Sequence, residues 1–228
     1  MKNFLFILAA CLMVSLVNAA PAAQPRPQLN KKLQAAVQAA AQRHQGSVDL
    51  DKEDDFGNTP VFAAAQKGDA KAIASYIKSA KSGDFLLKTG KNGNNVFHVA
   101  RNKDSFLALA YGIRHFYPRE YQKHLHLLMN QRNEAGELPV QTQINYGRAD
   151  MFFAEIPYTD LYKSIMNIKS KLSAGGIVAD VAQTEAAEVV KMSKDNSGRT
   201  IAQAARDNAA VPGMDKVVAF FNENASYL

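Results

Sequence analysis

Residues 54–77 read DDFGNTPVFAAAQKGDAKAIASYI, and this stretch organises the rest of the chain. Asp55-Phe56-Gly57-Asn58 has turn chemistry, with Gly57 free to take the positive φ that other residues resist. Thr59 suits a helix N-cap through its hydroxyl. Pro60 suits the first helical position, where no backbone donor is needed. Ala63, Ala64 and Ala65 permit close helix approach, and Gly68 is placed to end the helix in the left-handed conformation. Ala70, Ile73, Ile77 and Ala80 then follow helical spacing, with Tyr76 beside that stripe. The unit predicted is turn, helix, tight break, helix.

The pattern recurs. Gly93-Asn94-Asn95-Val96-Phe97-His98-Val99-Ala100 aligns with Gly57 onward, with Asn95 in the cap place, and Phe106, Leu109, Ala110 and Ile113 form a second-helix stripe. Gly136-Glu137-Leu138-Pro139-Val140 is a third copy. Gly147 follows Gly136 by eleven residues, the interval that separates Gly57 from Gly68. Gly198 to Ala205 is a fourth, with Met214, Val217, Val218 and Phe221 in its second helix. The turn glycines lie 36, 43 and 62 residues apart, so extra segments must separate the copies. These are Tyr117 to Met129 and Tyr158 to Met192. The longer one reads as two helices, the first carrying Leu161, Ile165, Ile168 and Leu172, with a break from Ser173 to Gly176.

On Asp55, Gly57, Thr59, Pro60, Val61, Ala64, Ala65, Gly68 and Ile73, the first unit resembles an ankyrin repeat. Phe62 replaces that family's usual His, which returns as His98 in the second copy. Copies two and three lack the full Thr-Pro pair, copy four lacks the Pro, and the spacings exceed the family's repeat of about 33 residues. The resemblance implies an all-α fold, an ankyrin-like α-solenoid of about four helix-turn-helix repeats with helical insertions. The competing fold is an irregular helical domain with one ankyrin-like unit. The resemblance also implies a scaffold that binds another protein through its turn tips and concave face, with no catalysis. The candidate partner-binding residues are Phe56 and Asn58, Asn92 and Asn94, Glu134 and Glu137, and Asn196 and Arg199. Phe56 leads them, as an aromatic at a turn tip; the alternative for it is packing against the N-terminal helix.

The amino-terminal region gives the expected address. Lys2 precedes an uncharged apolar run from Phe4 to Val17, and Val17-Asn18-Ala19 ends in small residues. This reads as a signal peptide over 1–19, cleaved on export to the periplasm or beyond. The alternatives are an uncleaved anchor, for which the run is short, and a lipid-modified Cys11 after Leu8-Ala9-Ala10. Residues 20–28 are Pro- and Ala-rich and read as a flexible linker. Residues 29–228 form the repeat-like domain, with Asn30 capping a helix over Leu33 to Arg43. Cys11 is the sole cysteine, so the mature chain has no thiol chemistry and no Cys-based zinc site. Apolar residues make up 47% of the 228, enough for a packed core. The formal charge of +6 indicates a moderately basic surface.

Motifs for catalysis are not assembled. His98 is expected to hydrogen-bond near its helix start, as a structural residue. His115, His124 and His126 cluster in sequence, but His124 and His126 point to different helix faces and the spacing is not that of a zinc protease. No metal or cofactor is expected. Asp49 to Asp55 is acidic without calcium-loop spacing, and Gly90-Lys91-Asn92-Gly93 lacks phosphate-loop spacing. Arg114 to His126 mixes cations with Phe116, Tyr117 and Tyr121, which suits either an anionic polymer or a helix pair with its aromatics turned inward. Export argues against a nucleic-acid partner. Beside the protein-binding scaffold, two other classes stay open: an enzyme with its site in 117–129 or 158–192, and a binder of anionic polymers through 114–126. No segment after the leader is apolar enough to insert in a membrane.

Overall fold

The computed structural model describes residues 48–55, 57–173 and 179–225. The expected signal peptide, linker and N-terminal helix lie outside these residues, as do Phe56 and most of the expected break after Ser173. Among the described residues the fold is all-α. Eleven α-helices and three short 3-10 turns are present, with no strand beyond a single bridge between Lys194 and Thr200.

The same turn is built four times from the same chemistry. The first residue's N–H donates to the carbonyl of the fifth: Asp54 to Asn58 at 2.9 Å, Gly90 to Asn94 at 2.8 Å, Asn133 to Glu137 at 3.0 Å and Asp195 to Arg199 at 3.0 Å. The fourth residue is a glycine at φ +69° to +80° in every case. In three turns the side chain of the first residue also accepts from the fifth N–H, so Asp54, Asn133 and Asp195 lock the loop. These short polar side chains favour such local bonds.

A helix pair follows each turn. α1 (Pro60–Lys67) and α2 (Ala70–Ser79) come first, then α3 (Val96–Val99) and α4 (Lys103–Phe116), with α5 (Tyr121–Asn130) after them. α6 (Pro139–Asn145) and α7 (Ala149–Glu155) follow, then α8 (Asp160–Ser173) and α9 (Ala179–Met192), and finally α10 (Ile201–Asp207) and α11 (Met214–Glu223). Pro60 and Gly68 bound α1 as expected, Gly68 at φ +73° with its N–H on the last turn's carbonyls. Thr59 holds the N-cap position, yet its buried hydroxyl makes no cap bond. Asn95 and Thr200 do cap their helices, Asn95 accepting from Phe97 and His98 and Thr200 from Gln203.

The pairs line up in two rows. α1, α3, α6 and α10 pack in succession, and so do α2, α4, α7 and α11 behind them. One apolar core, with Val61, Phe62, Ile73, Leu86, Phe97, Leu109, Ile113 and Met129, serves the first two pairs and α5. A second, with Ile144, Phe152, Ile165, Ile201, Val217 and Phe221, serves the rest. Burial of one such side chain stabilises by roughly 1.5–3 kcal/mol. α7 belongs to both, giving Met151 to the first and Phe152 to the second.

The segments expected as extra, 117–129 and 158–192, fold as α5 and as a 3-10 turn with α8 and α9. Three polar side chains fasten them. Asn95 Nδ2 donates to the Leu128 carbonyl at 2.7 Å, and Asn130 Oδ1 accepts from the Asp160 N–H at 2.8 Å. Arg132 donates to the carbonyls of Gly136, Met192 and Lys194.

Neighbouring turns touch. The Glu134 N–H donates to the Asn92 carbonyl at 2.9 Å, and the Asn196 N–H to the Ala135 carbonyl at 3.0 Å. A Cβ on Gly136 would lie 2.8 Å from the Asn196 nitrogen, whereas nothing stands within 4 Å of one on Gly198. Gly198→Ala should therefore cost only its backbone strain, about 1 kcal/mol, and Gly136→Ala clearly more. Urea unfolding of the two variants measures the difference; equal losses would mean that the turns do not crowd each other.

Candidate functional site

The turn edge carries the residues predicted to meet a partner, and the structure divides them. Glu137 is half-buried, and its carboxylate accepts from Asn133, Thr142 and Asn145. Arg199 donates to Asn145 at 2.9 Å, pairs with Asp195 and lies 3.8 Å from the Asp207 carboxylate. Asn94 Oδ1 accepts from Asn133 at 3.0 Å. Asn196 Nδ2 donates to the Glu134 carbonyl at 2.8 Å. All four side chains are engaged: Asn94 and Asn196 bridge neighbouring turns, Glu137 ties its turn to α6, and Arg199 ties the fourth turn to Asn145 of α6. Asn58, Asn92 and Glu134 make no side-chain hydrogen bond among the described residues, and Asn92 and Glu134 are exposed. Phe56 lies outside the described residues.

A second feature sits where the two extra segments meet. An open groove of about 600 Å³ is lined by Leu87, His124, His126, Leu127, Gln131 and Asp160, among others. His126 Nε2 lies 2.7 Å from Asp160 Oδ1, and Lys163 Nζ is 3.6 Å from the same oxygen. His124 stands 3.7 Å from Glu120 and against the Tyr117 ring. The two histidines take separate partners, as their spacing predicts, yet both reach this groove. No Ser, Thr or Cys lines it. It offers a base held by a carboxylate without a nucleophile beside it. Among the described residues no group of three or more His, Cys, Asp or Glu is placed to hold a metal.

The aromatics of 114–126 turn inward: Phe116, Tyr117 and Tyr121 pack on the first core. Arg114, Arg119 and Lys123 remain exposed. Sequence reading missed the locking side chains Asp54, Asn133 and Asp195, although an Asp or Asn three places before three of the four turn glycines was the signal. It also missed Arg132 and Gln143, whose partners are distant carbonyls with no signature in sequence.

Strongly shifted titrations occur in the packing between units. His98 is buried, Nδ1 accepting from the Asn95 N–H and Nε2 donating to the Glu137 carbonyl. Both bonds suit the neutral ring. Burial lowers its pKa from 6.5 to about 4, against the opposing effect of the Glu137 bond. Gln143 Nε2 donates to the Phe97 carbonyl at 2.8 Å and approaches Glu155 Oε1 at 3.4 Å. Arg148 Nη1 donates to the Ala100 carbonyl and to Gln143 Oε1, both at 3.1 Å. Glu155 is fully buried, and burial raises its pKa well above 4.5, with Arg148 and Gln143 opposing. These polar groups join the second and third helix pairs.

Comparison with protein-family models and with curated proteins finds no match. Among the described residues no helix is long and apolar enough to cross a membrane.

The two buried groups act on stability with opposite signs. The unfolded chain protonates His98 below 6.5, where the fold excludes the proton. That contribution is full above 6.5 and falls by about 3 kcal/mol as pH drops through 4. The fold keeps Glu155 protonated where the unfolded chain ionises, so stability falls as pH rises above 4.5. Glu155→Gln should raise the melting temperature at pH 8 and leave it nearly unchanged at pH 4. Thermal melts over that range test this; a lower melting temperature at pH 8 would mean a charged carboxylate stabilised by Arg148.

Proposed function

We propose that this chain is an exported, ankyrin-like α-solenoid that binds another protein through its turn edge and concave face, without catalysis of its own. The observation that carries the reading is the repeated turn. Four turns share one hydrogen-bond pattern and one glycine position, and backbone bonds link the second turn to the third and the third to the fourth. The helix rows behind them support the same architecture. Such an edge presents side chains at fixed spacing on a backbone that need not reorganise on binding, which lowers the entropic cost of association.

The contact residues narrow to Asn58, Asn92 and Glu134, with Phe56 kept as a candidate from the sequence. Glu134 is the strongest test position, because its backbone holds the turn contact while its side chain is unbound. A photo-crosslinking residue at Asn58 or Glu134 is expected to give one discrete adduct in cells, and the same residue at Asp215 of α11 none. Glu134→Lys should cut the adduct at Asn58 about tenfold while the melting temperature stays constant. Adducts of equal strength at all three positions would sink the reading.

The groove at His126 favours a second reading, a catalytic site in the extra segments. His126→Ala leaves the adducts intact under the first reading and removes biological activity under the second. Export belongs to the first proposal. N-terminal sequencing of chain recovered outside the cytosol should begin at Ala20, and an unprocessed Met1 there would exclude cleavage.

A further inference from the structure

The positive charge of this chain is concentrated. Residues 70–123 hold ten Lys or Arg and three Asp or Glu, a net of +7, whereas residues 124–228 hold ten and twelve, a net of −2. The fold collects much of that charge on one pair of helices. On α2, Lys71 and Lys78 are exposed on the side away from buried Ile73 and Ile77, and exposed Lys81 follows its end. On α4, the arc left free by Phe106, Leu109 and Ile113 carries Lys103, Leu107, Tyr111, Arg114 and His115, with Asp104 as its one acid. α2 and α4 pack directly. Gly112 makes the approach close, since a Cβ there would lie 2.7 Å from Ile77 Cδ1.

Two properties of this face call for a ligand. Lys71, Lys78, Lys81, Lys103 and Arg114 make no ion pair among the described residues. Between the α4 cations sit two large apolar side chains, Leu107, 48% exposed, and Tyr111, 46% exposed. The Tyr111 ring stacks on His115 with centroids 6.1 Å apart, and the Arg114 guanidinium lies over the Tyr121 ring at 6.0 Å.

We propose that this face of α2 and α4 docks on an anionic lipid surface, with Leu107 and Tyr111 entering the interface and the five cations meeting the headgroups. A charged polymer would require the cations alone. An apolar side chain and a tyrosine bracketed by Lys and Arg match the lipid interface, where apolar burial and headgroup attraction act together. The face shares no residue with the turn edge.

The chain has no tryptophan, so Leu107→Trp supplies a single reporter at the centre of the patch. Its emission is read in the full chain with vesicles of phosphatidylcholine, alone or mixed with phosphatidylglycerol. A blue shift is expected with the anionic vesicles, none with the neutral ones, and reversal on adding salt. Lys78→Gln, Lys103→Gln and Arg114→Gln combined in the reporter chain should weaken the apparent affinity about a hundredfold, from roughly fivefold per cation. These are exposed positions, so the melting temperature serves as the folding control. Vesicle binding without a shift would place the contact elsewhere and overturn the proposal. A shift untouched by the triple change, or one produced by heparin or DNA and not by vesicles, would overturn it as well.

Discussion

The bond from the first N–H of each turn to its fifth carbonyl is the constraint on which the rest depends. It closes a five-residue loop with glycine in the left-handed region as its fourth member. A loop so short fixes where the next helix begins. It also leaves a backbone N–H and a carbonyl pointing along the edge, which the neighbouring turn uses. Gly136 shows the coupling: its conformation forbids most side chains, and the Asn196 backbone occupies the space a side chain would need. Local turn geometry and long-range packing are satisfied by one residue.

Behind the edge, the cores of the two halves meet at α7, and polar groups hold the joint. Gln143 and Arg148 reach across to carbonyls of α3 and its C-terminal end, and His98 reaches back to Glu137. Buried partners of this kind contribute modest net stability when complete and cost much more when one is removed. Glu155 Oε2 is buried without a hydrogen-bond partner, and burial raises the pKa of that carboxyl well above 4.5. The most perturbed groups thus serve the packing, and this weighs against reading them as catalytic.

Much of the local construction was legible. Pro60, Gly68, Asn95 and Gly147 do what their positions indicate, and the stripes Phe106–Leu109–Ile113 and Leu161–Ile165–Ile168 are buried. Thr59 departs from expectation: its hydroxyl is buried without capping, because N-cap position and N-cap bonding are separate outcomes. At the edge, Asn94, Glu137, Asn196 and Arg199 looked like the free residues of a binding surface. Their partners lie 4 to 62 residues away in sequence. Whether a polar side chain is free or engaged depends on what the fold brings beside it.

By itself, then, the sequence determined the helices, their ends and the repeated turn, since each follows from torsional and hydrogen-bonding preferences acting within a few residues. It also set the charge imbalance that marks residues 70–123. Tertiary structure alone decided which polar side chains the fold consumes and which it leaves open. It placed His124, His126 and Asp160 around one groove, and it packed α2, with its exposed Lys71 and Lys78, against α4, with its exposed Leu107 and Tyr111. The reason is that burial and pairing between residues distant in sequence depend on how helices pack, through contacts such as Gly112 against Ile77 that no short-range pattern encodes.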